Sequence, residues 1–415
     1  MIIQRDRYLK QLISAKGNGM VKIVTGIRRS GKSFLLMNLF HQHLIEQGVN
    51  ESNIIELSLD NRKNRNLRNP DRLLEYIDGK VTDKSTHYVI LDEIQLVDDF
   101  VEVLLSLMQD KRLDVYVSGS NSKFLSKDVV TEFRGRGDEI RLYPLSFSEY
   151  YNAVGGDKTD AWKEYYTYGG LPQILQISEE QKKIDYLVDL YELTYLKDIV
   201  ERNHLRNVEG LRTLIRILAS NIGTSTNPKR IENTFKSAEK VSIKDSTIKE
   251  YINYLQDSFL IEEALRYNVK GRKYIGTENK YYFADIGLRA AILNFRQQEE
   301  THIMENIIYN ELRMRGYRVD VGMVETWATD ENHKTIRLPL EVDFVVNKGA
   351  ERIYIQSVYR MPTEEKTAQE KRSLQNTNDN FRKIIIVGDD IKQKTDEQGI
   401  VTLGLFDFLL NQDSI

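Results

Sequence analysis

The stretch KIVTGIRRSGKSF, from Lys22 to Phe34, decides the fold. It fulfils the pattern G-x-x-x-x-G-K-[ST] at Gly26, Gly31, Lys32 and Ser33. A β-branched run before the loop predicts a strand, and spaced apolar residues after it predict a helix. Closely wrapped backbone N–H groups and the positive end of the following helix both attract phosphate. The stretch therefore predicts a site for a nucleoside triphosphate, the alternative being a glycine turn that only joins a strand to a helix.

The loop residues are expected to divide the work of binding. Lys32 is expected to contact the β- and γ-phosphates, and the Ser33 hydroxyl is expected to ligate Mg²⁺. The backbone holds the phosphates, which leaves the side chains of Arg28 and Arg29 to face the nucleotide, a neighbouring subunit or solvent. The predicted nucleotide contacts are Gly26, Ile27, Arg28, Arg29, Ser30, Gly31, Lys32, Ser33 and Phe34.

A second motif, HYVILDE from His87 to Glu93, supplies the acidic groups that an ATPase requires. Four consecutive apolar residues predict a strand buried on both faces, as in a parallel sheet, and two carboxylates follow at its end. Asp92 is expected to hold Mg²⁺, and Glu93 is expected to polarise the water that attacks the γ-phosphate. The alternative is a strand that ends in solvated acids.

Two further segments contain candidate catalytic residues. A strand over Leu113–Val117 ends in SGSN, where Asn121 or Ser120 is predicted to sense the γ-phosphate. Downstream, FRGRG places Arg134 and Arg136 on a glycine-flanked turn. Such a turn suits an arginine finger that neutralises transition-state charge, but a solvated basic turn fits either arginine equally well.

Composition narrows the class of protein. A chain of 415 residues with 40% hydrophobic residues is too long for one ordinary core and predicts two or three domains. The net charge of −3 predicts no global attraction to nucleic acid, so DNA binding would depend on local patches. The absence of cysteine excludes disulfides and Cys-based zinc sites. No secretory signal and no apolar stretch of ~18 residues is found, which predicts a cytoplasmic protein without a membrane partner.

Alternating strand-like and helical segments predict a parallel α/β domain of the P-loop NTPase class over residues 1–150. A helical connector or lid is predicted over 151–204, a winged-helix domain over 205–290 and an α/β nuclease-like domain over 291–415. The predicted strands of the first domain are Lys22–Thr25, Asn53–Leu59, His87–Leu91, Leu113–Ser118 and Glu139–Tyr143.

The winged-helix prediction depends on the order of elements. Helices over Val208–Ala219 and Ser246–Leu255 precede a β-hairpin over Leu260–Phe283, the arrangement in which a second helix reads DNA and a wing contacts phosphates. Basic residues suited to the phosphate contact lie at the hairpin tip, namely Lys270, Arg272 and Lys273. The second helix exposes acidic and basic residues together, so DNA and protein contact stay equally open.

The last third resembles the PD-(D/E)xK nuclease site, but it is incomplete. Glu305 on a helix and Asp343 on a strand could converge on a metal ion. On the next strand, Gln356 replaces the second acid and Val358 replaces the lysine, so the hydrolytic site is predicted to be dismantled. Glu305 and Asp343 are then interpreted as residual polar residues that hold helix to sheet. The alternative is a lysine supplied from elsewhere, Lys348 or Lys366.

Taken together, the motifs resemble one family, the widespread prokaryotic AAA-type ATPases with a central winged helix and a C-terminal nuclease-like domain. They are RDRYL, TGIRRSGKS, ILDEIQ, SGSN, YPLSFSEY, YGGLP, LQDSFLI, KYYFADIGLR, EVDFVV and YIQ. The resemblance implies an AAA+-like sheet of order 5-1-4-3-2, with ATP and Mg²⁺ as cofactors. It also supports Lys32, Ser33, Asp92 and Glu93 in their roles and makes Arg136 the better finger candidate.

The favoured hypothesis is an ATP-driven switch, in which hydrolysis repositions the later domains against a DNA or protein partner. Two alternatives stay open: an ATP-regulated, metal-dependent nuclease that cuts at Glu305 and Asp343, and a nucleotide-dependent protein-interaction switch with little turnover. The sequence leaves the oligomeric state open, a homo-oligomer included, together with the question of whether the finger acts within or between subunits.

Overall fold

The computed structural model describes residues 2–119, 135–239, 243–276, 278–297, 299–329, 335–361 and 363–415. These residues form two compact units. The first unit contains Met1–Leu145 and two short returning segments, Leu171–Gln176 and Asp257–Phe259. The second contains Ser146–Gly170, Ile177–Gln256 and Leu260–Ile415. Because segments beyond residue 170 return to the first unit, the two units are not consecutive halves of the chain.

The first unit is built on a five-stranded parallel sheet. Its strands are β1 (Val21–Thr25), β2 (Ile54–Ser58), β3 (His87–Asp92), β4 (Leu113–Ser118) and β5 (Gly137–Arg141). They are arranged in the order β2-β3-β4-β1-β5, with every neighbouring pair parallel. Read from the other edge, this is the predicted order 5-1-4-3-2, so the P-loop NTPase sheet is confirmed. All five strands begin and end within two residues of their predicted limits.

Helices cover both faces of this sheet. They are α1 (Asp6–Ala15), α2 (Lys32–Phe34 continuing through Leu35–Phe40 and His41–Glu46), α3 (Pro70–Asp78) and α4 (Phe100–Leu107). Successive residues of β1 face opposite layers. Ile23 packs in the core that includes α3 and α4, and Val24 packs in the core that includes α1 and α2. Burial on both faces explains the four consecutive apolar residues of β3, Tyr88–Leu91.

The second unit begins with helices. They are α5 (Phe147–Val154), α6 (Lys158–Tyr168), α7 (Glu180–Leu190 continuing through Tyr191–Leu196 and Lys197–Arg202), α8 (Val208–Ser220), α9 (Pro228–Thr234), α10 (Asp245–Asp257) and α11 (Ile286–Ile292). The Ser146 hydroxyl accepts a hydrogen bond from the Glu149 amide, and the Glu149 carboxylate accepts one from the Ser146 amide. This capping box fixes the start of α5.

Four short strands lie between α10 and α11: β6 (Ile261–Ala264), β7 (Arg266–Asn268), β8 (Lys273–Tyr274) and β9 (Lys280–Phe283). Beyond α11 come α12 (Glu300–Met314), β10 (Arg318–Thr329), β11 (Thr335–Lys348), β12 (Glu351–Val358), α13 (Glu364–Gln375), β13 (Arg382–Val387), β14 (Lys394–Thr395), β15 (Ile400–Gly404) and α14 (Leu405–Leu410). Eight of these strands form one mixed sheet of order β14-β15-β13-β12-β11-β10-β7-β8, and β6 pairs with β9.

The predicted hairpin over Leu260–Phe283 is only partly correct. Its outer strands β6 and β9 pair antiparallel, as do its inner strands β7 and β8. However, β7 also pairs in parallel with β10, so the inner half is an edge of the eight-stranded sheet and not a separate wing. Among the tip residues, Lys270 donates a hydrogen bond to the Glu325 carbonyl at 2.7 Å. A strand with an unpaired edge gains backbone hydrogen bonds by joining a sheet, and sequence spacing does not reveal this.

Candidate functional site

The phosphate loop lies where β1 leaves the sheet, and its conformation requires glycine. Gly26 and Gly31 have φ angles of 137° and 98°. A Cβ atom on Gly26 would lie 2.1 Å from the Leu142 carbonyl oxygen, which no side chain tolerates. Arg29 is also left-handed, with a φ of 65°, and its side chain is exposed. The loop therefore wraps tightly against the chain beyond β5 while its arginine points outward.

Lys32 begins α2 and is 5% exposed. Its Nζ donates hydrogen bonds to the Gly26 carbonyl at 2.9 Å and to the Ile27 carbonyl at 3.1 Å. Burial lowers the pKa of Lys32 to about 8, although Glu93 and Asp92 act to raise it. A buried ammonium held by neutral carbonyls is poorly compensated, so an anion at the helix start would stabilise it.

The acidic residues Asp92 and Glu93 lie beside the loop, at the carboxyl end of β3. The Ser33 hydroxyl donates to Asp92 Oδ2 at 2.7 Å, and the Ser118 hydroxyl donates to Asp92 Oδ1. Ser118 Oγ in turn accepts from the Glu93 amide at 3.2 Å. The structure thus brings together the two predicted Mg²⁺ ligands, Ser33 and Asp92. Hydroxyl and carboxylate oxygens are the donors that Mg²⁺ prefers, and phosphates and water complete its shell, so the pair fits this ion.

Glu93 follows β3 with a φ of 55°, a left-handed conformation uncommon for a residue with a side chain. Its Oε2 accepts a hydrogen bond from Gln95 Nε2, which fixes the direction of the carboxylate. The sequence reasoning missed the contributions of Ser118 and Gln95. Both lie in motifs that were recognised, SGSN and ILDEIQ. The Ser118 contact depends on how β3 and β4 pair, and the Gln95 contact depends on the turn that follows β3.

Of the predicted sensor and finger residues, Arg136 is the one that the structure describes. Asn121, Ser120 and Arg134 lie outside the described residues. Arg136 is exposed, and its carbonyl accepts a hydrogen bond from the Val21 amide at 3.0 Å. Val21 begins β1 and the phosphate loop follows its end, about 13 Å away at roughly 3.3 Å per residue. The backbone of Arg136 therefore lies at the amino end of the parallel strands, whereas its own phosphate loop lies at their carboxyl end.

The two returning segments complete the first unit close to the loop. Pro172 Cγ lies 3.9 Å from the position that a Cβ of Gly31 would occupy. The guanidinium of Arg141, which pairs in register with Thr25, lies 4.8 Å from the ring centre of Phe259. These contacts give a physical role to the motifs YGGLP and LQDSFLI, because each motif supplies one returning segment.

The second unit brings together the three residues of the predicted nuclease-like centre: Glu305 on α12, Asp343 on β11 and Gln356 on β12. Gln356 Oε1 accepts a hydrogen bond from the Asp343 amide at 3.4 Å. Lys280 on β9, which the sequence reasoning missed, lies among the acids, with Nζ 2.9 Å from Glu305 Oε1. The expectation that Glu305 and Asp343 converge is met, but they converge on an ammonium group.

Neither lysine proposed as a substitute faces this centre directly. Lys348 Nζ donates to the Arg315 carbonyl at 3.0 Å, and Lys366 pairs with Glu370 at 2.5 Å. Across the described part of the chain, no group of three or more histidine and acidic side chains is arranged to hold a metal ion. In the same part of the chain, no helix has the length and apolar character needed to cross a membrane.

Sequence comparison assigns the first unit. A family model described as an AAA domain matches residues 18–151. The chain therefore contains an AAA domain. A second family model, described as a domain of unknown function (DUF8612), matches residues 159–299 of this AAA-type protein. The assignment agrees with the strand order and with the geometry of the phosphate loop.

Sequence similarity to other proteins continues beyond the AAA domain. An uncharacterised protein of Haemophilus influenzae is 32% identical over 415 residues, covering 99% of both chains, so the two belong to one family. An uncharacterised protein of Methanocaldococcus jannaschii is 28% identical over 330 residues, which are 76% of this chain and 70% of that one. A solved structure, the Walker-type ATPase of Pyrococcus abyssi, is 13% identical, with a TM-score of 0.49 over 70% of this chain and 96% of that one.

Proposed function

We propose that this protein hydrolyses ATP with Mg²⁺ and uses the cycle to switch the position of its second unit against a macromolecular partner. The observation that carries the proposal is the hydrogen-bonded group of Ser33, Asp92 and Ser118 beside the buried ammonium of Lys32. A lysine placed for phosphate and a serine–aspartate pair suited to Mg²⁺ adjoin a second carboxylate, Glu93, at the end of β3. Together they are the parts that phosphoryl transfer requires.

In the bound state, the ammonium of Lys32 exchanges its two loop carbonyls for β- and γ-phosphate oxygens. The loop amides and the start of α2 add positive potential to the same phosphates. Ser33 and Asp92 would hold Mg²⁺, which supplies charge neutralisation between the β- and γ-phosphates when it is bound. The Ser118 hydrogen bond keeps Asp92 in position for this role.

Glu93 is the proposed general base. Its carboxylate accepts a proton from the attacking water, and Gln95 orients that carboxylate through the hydrogen bond to Oε2. Asn121 is proposed as the sensor of the γ-phosphate. The backbone of Arg136 lies at the amino end of the strands, away from its own phosphate loop. We therefore propose that Arg136 contacts the nucleotide site of a neighbouring subunit, so that the active form is a homo-oligomer.

The returning segments are the proposed route from the nucleotide to the rest of the chain. Pro172 of the segment Leu171–Gln176 lies near the phosphate loop at Gly31, and Phe259 of the segment Asp257–Phe259 lies against the Arg141 guanidinium on β5. Movement of the loop on hydrolysis would be passed to α6 and α10, which adjoin these segments in sequence. The partner is DNA or protein. Exposed Lys270, Arg272 and Lys273 are the proposed phosphate contacts if the partner is DNA.

The test is steady-state phosphate release by wild type and Glu93→Gln, with ATP binding measured in parallel. We expect Glu93→Gln to keep ATP affinity and to lose turnover by roughly 10²–10⁴-fold, the usual contribution of a general base. Unchanged turnover in this variant would remove Glu93 as the base.

The same assay with double-stranded DNA distinguishes the partners. Stimulation by DNA that a Lys270/Lys273→Ala variant lacks would establish DNA as the partner. Turnover that is indifferent to DNA would instead favour a protein partner.

A further inference from the structure

A lysine and three carboxylates form a buried cluster in the second unit. Lys280 Nζ lies 2.9 Å from Glu305 Oε1, 2.8 Å from Glu341 Oε1 and 3.9 Å from Asp343 Oδ1. The lysine side chain is only 3% exposed. Its three acidic neighbours come from two elements, α12 and β11, while Lys280 itself comes from β9. The ammonium is therefore enclosed by acids from a helix and a strand.

Two further donors contact these acids. Glu305 Oε1 accepts a hydrogen bond from the Tyr282 hydroxyl at 2.6 Å, and Asp343 Oδ2 accepts one from the Ser357 amide at 2.8 Å. On β12, Gln356 offers a neutral amide where a metal site requires an acid. A divalent ion at this position would have to displace a covalently attached cation and would meet its charge at contact distance.

We infer that Lys280 is a resident cation that takes the place of a divalent metal ion in this centre. The nuclease-like resemblance implies a metal held by Glu305 and Asp343, but the residues present do not fit one. The ammonium pairs with Glu305 and lies beside Asp343, whose pKa is raised by burial and by the Glu305 carboxylate. It cannot dissociate from the chain and cannot activate a water molecule. The centre is thus an ion cluster without hydrolytic chemistry.

The electrostatics agree with a permanently charged lysine. Burial opposes the charge of Lys280, but Glu305, Asp343 and Glu341 together raise its pKa above the ordinary value. Burial also opposes ionisation of Glu305, yet Lys280, with His302 and Tyr282, lowers the pKa of this carboxyl to about 2. Each of the two groups therefore stabilises the charged form of the other.

The cluster has a second consequence, which concerns the organisation of the chain. Lys280 lies inside the region 159–299 that matches the domain of unknown function, and its three acidic partners lie beyond that region. Lys280 therefore links the strand pair β6–β9 to α12 and to the eight-stranded sheet. A metal ion at this position would have linked only the elements that carry its own ligands.

Mn²⁺ binding to the full-length protein tests this inference without nucleotide, so its outcome does not depend on the proposed ATPase function. The specific signal is the part of the Mn²⁺ binding that is lost when Glu305→Gln is added to the same protein. This difference excludes any Mn²⁺ bound at Ser33 and Asp92. We expect wild type to show no such signal and Lys280→Ala to gain one site. Lys280→Arg, which keeps the positive charge, is the matched control and should gain none.

Two results would overturn the inference. One is a Glu305-dependent Mn²⁺ site in wild type, because the lysine would then not exclude a metal. The other is a folded Lys280→Ala variant that gains no site, because the carboxylates would then not be a metal-binding set. Should Lys280→Ala fail to fold in metal-free buffer, Lys280→Gln is measured in its place, since its amide still donates hydrogen bonds to the acids.

Discussion

Lys32 and Lys280 are both buried and both lie near carboxylates, but different groups hold them. Lys32 donates to two neutral carbonyls of its own loop, whereas Lys280 contacts carboxylates from a helix and a strand. Burial accordingly lowers the pKa of Lys32 to about 8, and the acids raise the pKa of Lys280. From this difference we infer that a buried lysine is suited to an anionic ligand when its own surroundings leave its charge uncompensated.

The largest expected effect is on stability, and it concerns Lys280. Lys280→Ala leaves buried acids unpaired and should lower the free energy of unfolding by about 3–5 kcal/mol. Both tryptophans, Trp162 and Trp327, belong to the second unit, so urea unfolding followed by tryptophan fluorescence reports this unit. Lys32→Ala is the matched control and should leave that transition unchanged. Equal destabilisation by both substitutions would contradict the distinction between the two sites.

The next effect is on ligand binding, and it concerns Lys32. Lys32→Ala removes a charge-assisted contact with the phosphates worth about 1.5–3 kcal/mol, so ATP affinity should fall roughly 10- to 100-fold. Titration calorimetry with ATP and Mg²⁺ measures the change. Lys280→Gln should bind ATP within twofold of wild type, because Lys280 is paired with carboxylates of the second unit and is not part of the phosphate loop. Undiminished affinity in Lys32→Ala would count against the phosphate loop as the triphosphate site.

The smallest effect is a pH dependence that separates the lysines further. Bound phosphate favours the protonated form of Lys32, whose pKa is about 8 in the free protein, so ATP binding takes up a proton above this pH. Affinity should therefore be constant below about pH 7, fall roughly twofold by pH 8 and then fall by up to about tenfold per pH unit. Lys280 stays charged over this range, since its pKa is raised above 10.5.

The matched control for this titration is Lys32→Arg, whose guanidinium remains protonated throughout. Its ATP affinity should be independent of pH above 8, whatever its absolute value. A decline in Lys32→Arg as steep as in wild type would assign the titration to another group.

Local sequence predicted the first unit well because its signals are local. A phosphate loop needs glycines at fixed offsets, and a strand buried on both faces needs a continuous apolar run, so β1, β3 and the positions of Lys32 and Asp92 follow from short stretches. The strand order came from the resemblance and was confirmed. Helix limits were also close, as for α8, which extends one residue beyond its prediction.

Longer-range partners were not predictable in this way. Arg136 was recognised as a finger candidate, but its distance from its own phosphate loop emerges only from the register of β5 on β1. The hairpin prediction was only partly correct, because β7 also pairs with β10, more than 50 residues away. Both outcomes depend on pairings between strands, and hydrophobic spacing within one segment carries no information about the partner of its edge.

The sequence alone was enough to identify the phosphate loop, the acidic strand end beside it and the replacement of the nuclease acid and lysine by Gln356 and Val358. Only the tertiary structure decided that Ser118 holds Asp92, that two later segments return to the loop and that Lys280 occupies the acidic centre. The physical reason is that a buried charge is stabilised by whatever groups surround it in space. Lys280 and Asp343 are 63 positions apart in the sequence and 3.9 Å apart in the fold.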